Sequence, residues 1–243
     1  MTAQWIWETE AMRRLLDLLL RLLKWPTALG ALLLLPGTAI AFKQHVEMVY
    51  RSPESSEPFL LGLAAYGALW VVLLRRRSMI EGSFWSTLEH ELTHILFTLL
   101  TFGRVRSLVA THRSGGRMEL EGSGNWLVAI SPYFFPTLAL PVILVMLTLE
   151  GDVLRVASLV LGVTVSYHLT STWRETHAQQ TDLQQVGFPF AWAFLPTANI
   201  AAFGMILGMA HGGIDGLTGF YDAIWEESPY LADRLEGLFG LVT

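Results

Sequence analysis

The sequence predicts an all-α polytopic membrane protein with about six transmembrane helices and a short β-hairpin after a histidine-bearing helix. Three observations predict it. Of the 243 residues, 52% are hydrophobic and 15% charged, and mean hydropathy is +0.44. A soluble domain carries roughly 25% charged residues, so this chain is short of polar surface for a water-facing exterior. Several apolar stretches approach the ~20 residues a helix needs to cross the hydrocarbon core. One internal segment, 103–125, departs from that pattern and alternates loosely between apolar and polar residues.

Taken in order, residues 5–24 interleave Arg13, Arg14, Arg21 and Lys24 with leucines, as expected of an amphipathic helix on the membrane surface before the first span. Two acids precede the first basic pair and no small-residue cleavage site follows, so this is not read as a cleavable signal. Spans are expected at 25–42, 59–74, 80–102, 126–149, 153–173 and 188–210. Pro26, Pro36, Pro132, Pro136, Pro141 and Pro196 lie in or beside them, which membrane helices tolerate where neighbouring groups satisfy the freed carbonyls. Gly103 stands where a glycine cap would end the third span. Around Ser114-Gly115-Gly116 the simplest reading is two short strands joined by a glycine turn. The last 30 residues set Phe220, Ile224, Trp225 and Leu231 among acids, suggesting interfacial or packed helices broken near Pro229. Arg75, Arg76 and Arg77 would lie on the cytoplasmic side. Three regions result: 1–79 with the amphipathic helix and two flanking spans, 80–190 as a core, and 191–243 with the last span and C-terminal helices.

Composition also excludes chemistry. With no cysteine, disulfides, thiolate catalysis and cysteine-based zinc or iron–sulfur sites are ruled out. A net charge of −5 without a sustained basic run argues against nucleic acid as a partner. The lipid bilayer is the expected environment.

Residues 90–94 read HELTH. His90 and His94 are four apart, so on a helix both imidazoles project from one face and can share a metal ion. Glu91 then lies beside the metal, where it can take a proton from a zinc-activated water and pass it to a departing amine. Ionisable groups within a hydrophobic helix are costly to bury and are functional candidates for that reason. Glu89 projects elsewhere and reads as a structural or rim residue. A catalytic zinc site needs a third protein ligand and an open position. Candidates cluster in a polar island between two hydrophobic spans, with Glu175, His177 and Asp182, while His168 lies near the end of the preceding span.

These residues resemble the site-2 protease family of intramembrane zinc metalloproteases, in particular its small bacterial members. His90, Glu91 and His94 match the family's HExxH helix. The stretch around Ser114-Gly115-Gly116 matches its β-hairpin, and Ile130-Ser131-Pro132 stands where Ala-Gly-Pro occurs. Asp182, within Thr181-Asp182-Leu183, follows at a separation similar to that of the family's aspartate ligand. The likeness covers roughly 80–190, nearly half the chain. It implies a zinc metalloendopeptidase with His90, His94 and Asp182 as Zn2+ ligands and Glu91 as catalytic base. The substrate would be a membrane protein cut in or near a transmembrane segment, and the location a bacterial cytoplasmic membrane, multi-pass. It also implies that residues 174–187 fold back towards mid-span, and that the hairpin pairs with an extended substrate strand. Two other readings compete: a membrane HExxH protease of another class using Glu175 as third ligand, and a non-catalytic metal-binding scaffold or transporter.

Overall fold

The computed structural model describes residues 3–74, 84–111, 115–121 and 124–239. Arg75, Arg76 and Arg77, residues 80–83 of the expected third span and Ser114 of the expected turn lie outside them. The elements run α1 (Ala3–Arg51), α2 (Glu57–Leu69), α3 (Phe84–Leu100), β1 (Arg104–Thr111), β2 (Gly115–Glu121), α4 (Trp126–Ile130), α5 (Ala139–Met146), α6 (Gly151–Glu175), α7 (Thr181–Val186) and α8 (Phe188–Phe239). The fold is mainly α and membrane-like. Three of its helical stretches, Glu10–Arg51, Gly151–Glu175 and Phe188–Ser228, are long and apolar enough to cross a bilayer. Large apolar side chains such as Leu33 and Trp192 face outward, which costs little against lipid.

Three boundaries differ from the sequence expectation, each for a local reason. The surface helix and first span are one continuous α1 of 49 residues. Pro26 and Pro36 lie within it, and each removes only one backbone hydrogen bond while the flanking turns continue. The expected span 126–149 is interrupted: α4 stops at Ile130, a 3-10 turn covers Ser131–Tyr133, and α5 begins at Ala139. Pro132 and Pro136 fall four residues apart and deprive the carbonyls of residues 128 and 132 of their helical donors. Finally, α8 runs past position 229 and bends instead at Gly212 and Gly213, where Gly213 has φ 63°. That left-handed conformation is open to glycine at little cost.

The helices pack in two main pairs, α1 along α8 and α2 along α6. In the second pair a Cβ at Gly62 would strike the Leu159 carbonyl, and one at Gly162 the Phe59 carbonyl. The backbones approach through two glycines, as is common where helices associate in lipid. At the end of α3 the left-handed residue is Phe102, φ 56°, not Gly103. Gly103 donates its backbone N–H to the Thr98 carbonyl at 2.8 Å, closing a Schellman-type cap. The chain then enters β1, which pairs antiparallel with β2 from Arg104↔Glu121 to Thr111↔Gly115. Both strands lie against α3. Ile130, Tyr133, Leu183, Val186 and Phe190 form one apolar cluster, and this cluster holds α7 against α4.

Candidate metal centre

The site is assembled from three elements. Helix α3 carries His90, Glu91 and His94 on adjoining positions of one face. The short α4 lies beside it. Its start is fixed by Asn125, whose side chain accepts from the Val128 N–H. Asn125 also donates to Asp17 at 3.2 Å, and Trp126 Nε1 donates to the Leu20 carbonyl at 2.6 Å, tying α4 to α1. Helix α7 supplies Asp182 after the chain leaves α6.

Proline chemistry sets the first detail. In a continuing helix the Val128 carbonyl would accept from residue 132, but Pro132 has no N–H. The carbonyl is instead met by His94 Nδ1 at 2.9 Å and by the Ser131 hydroxyl at 2.9 Å. A carbonyl only accepts, so Nδ1 carries the proton and the neutral ring turns its Nε2 lone pair to the other side. That lone pair faces His90 Nε2 at 3.1 Å and Asp182 Oδ2 at 3.4 Å. His90 Nε2 lies 3.2 Å from Asp182 Oδ2.

These three atoms form a nearly equilateral triangle. Ligands at roughly 2.0–2.1 Å from a tetrahedral zinc are separated by about 3.3–3.4 Å from one another, so the spacing suits three corners of such a site. Among the described residues, His90, His94 and Asp182 are the group of ligand-type side chains that can hold one metal ion. Three electron-rich atoms brought together in a largely buried place repel one another unless a cation or proton lies between them.

The other sequence candidates are placed differently. Glu91 is buried, 8% exposed. Glu175 is outside the triangle and accepts from Gln180 Nε2 at 2.7 Å. His177 is exposed. His168 turns away from the triangle: its Nδ1 lies 3.3 Å from Glu89 Oε1, with both side chains no more than 3% exposed. Its Nε2 lies 3.3 Å from the Thr172 hydroxyl, which donates to the Pro132 carbonyl at 3.5 Å. Glu89 is therefore a buried partner of α6, not a rim residue.

Sequence reasoning missed Tyr133. It is 1% exposed, and its ring stands edge-on to that of His90, with centroids 5.5 Å apart. The signal was its place immediately after Ser131-Pro132, in the turn that Pro132 forces. No protein-family model, curated protein or solved structure is found to match the chain.

Proposed function

We propose that this protein is an intramembrane zinc metalloendopeptidase, with His90, His94 and Asp182 as zinc ligands and Glu91 as the general base. The observation that carries the reading is the convergence of the three ligand atoms beside a buried glutamate one residue from the first histidine. The resemblance to site-2 proteases points the same way. Two nitrogens and one carboxylate oxygen at tetrahedral spacing suit zinc, leaving a fourth position open. Zinc, when bound, supplies a Lewis acid and a water acidic enough to act near neutral pH.

The chain's own residues do the rest. His94, oriented by Val128, and His90, held against Asp182, keep their Nε2 atoms directed at one point. Glu91 takes a proton from water at its carboxylate and returns it to the departing amine, a transfer worth about 10²–10⁴ in rate. In this reading the apolar segments 59–74, 80–102 and 126–149 also lie within the bilayer, and the substrate is a membrane-protein segment locally unwound so that its carbonyl is free.

The test compares purified wild type with Glu91→Gln for bound zinc and for cleavage of a membrane-protein substrate. Zinc should be retained while cleavage falls by about 10²–10⁴-fold. Undiminished cleavage removes Glu91 as the base. Bound zinc with no cleavage by the wild type, across a panel of membrane-protein substrates, would favour a non-catalytic metal protein instead.

A further inference from the structure

We propose that the Tyr133 hydroxyl is the hydrogen-bond donor that meets the carbonyl oxygen of the scissile peptide. The inference rests on the proteolytic reading above and adds the group that would receive the developing negative charge.

Tyr133 is among the largest fully buried side chains of the protein, yet its hydroxyl oxygen has no hydrogen-bond partner. Burying a hydroxyl unpaired is unfavourable, and phenylalanine would fill the same volume without that cost. The group's position suggests what offsets it. Its ring abuts His90. The side chain thus stands beside the triangle, against one of its three members.

The turn that carries Tyr133 is held from both sides. Ser131 bonds to Val128 within α4. Asn199 Nδ2 donates to the Tyr133 carbonyl at 3.0 Å. The Pro132 carbonyl, left without a helical donor by Pro136, accepts from Thr172. A donor fixed before substrate arrives needs no reorganisation when charge develops, which is what makes such groups effective.

The bond changes balance as follows. Water adds to the peptide carbon and one of its protons goes to Glu91. The carbonyl π electrons move onto oxygen, where the Tyr133 O–H donates a hydrogen bond and keeps its proton. When the C–N bond breaks, those electrons return to the carbonyl, and the amine leaves with the proton from Glu91.

The experiment uses full-length Tyr133→Phe beside wild type and Glu91→Gln, measuring melting temperature, zinc affinity by chelator competition, and kcat and KM. The expected result is an unchanged or raised melting temperature, zinc affinity within about twofold, and kcat lowered about 10²–10³-fold with KM little altered. A lowered melting temperature would show that the hydroxyl is bonded for structure, and overturns the proposal. So does a kcat that is unchanged, or one that falls only in step with zinc occupancy, which would make Tyr133 an orienter of Asp182. If the wild type itself cleaves no membrane-protein substrate, the proteolytic reading fails and this proposal fails with it, whereas cleavage equal in wild type and Tyr133→Phe overturns this proposal alone.

Discussion

His94 Nδ1 donates to the Val128 carbonyl at 2.9 Å, and that carbonyl is available because residue 132 is a proline. A proline in one element thereby sets the tautomer of a histidine in another. Pro132→Ala would restore an N–H able to claim Val128 within α4. Groups that orient a metal-binding histidine are typically worth 10–100-fold in affinity. Zinc affinity of Pro132→Ala should therefore fall by about 10-fold or more, read by chelator competition; an unchanged affinity would show that His94 is oriented by its rotamer alone.

The third ligand can be assigned by metal content. Asp182→Ala should lose stoichiometric zinc after dialysis, because one corner of the triangle is removed. Glu175→Ala and His177→Ala should keep it, since neither side chain belongs to the group that converges. Elemental analysis of the three purified variants decides the matter, and zinc loss in Glu175→Ala alone would favour the glutamate-ligand class of protease.

Burial separates two polar side-chain pairs of similar length. Glu89 and His168 meet at 3.3 Å with 3% and 2% exposure, whereas Arg155 and Glu57 meet at 3.2 Å with 59% and 56%. Removing one partner of a buried hydrogen-bonded pair leaves the other unsatisfied, at about 1–3 kcal/mol. An exposed pair contributes about 0–1 kcal/mol. Unfolding in detergent should show Glu89→Ala strongly destabilised and Arg155→Ala nearly neutral. Equal effects would mean that water reaches the Glu89 pair.

The α2–α6 contact offers a test of backbone approach. Gly62→Ala and Gly162→Ala each place a methyl group against a facing carbonyl, and should cost about 1–3 kcal/mol as overpacking. Gly30→Ala meets nothing within 4 Å. In the interior of α1 it should be neutral or stabilising by up to about 1 kcal/mol. Denaturation midpoints of the three variants suffice, and a stable Gly162→Ala would show that the helices can separate without loss.

How much of this was legible in the chain depends on the range of the interaction involved. The pairing of His90 with His94 follows from four-residue spacing on a helix, and the excess of apolar residues dictates helices against lipid, because backbone groups there must bond within their own segment. Such features are local, and sequence alone determined them. Proline positions also contained the break after Ile130, although the residues 126–149 looked long enough for one span, since hydropathy counts apolar surface and not missing donors. The placement of Asp182 beside the two histidines is different in kind. Asp182 lies 92 residues from His90 in the chain, and only the packing of α7 on α4, through Leu183 and Val186, brings the two together. Tertiary structure likewise decided that His168 serves Glu89 and that Tyr133 abuts His90. No periodicity encodes those contacts, because they depend on where separately formed elements come to rest against one another.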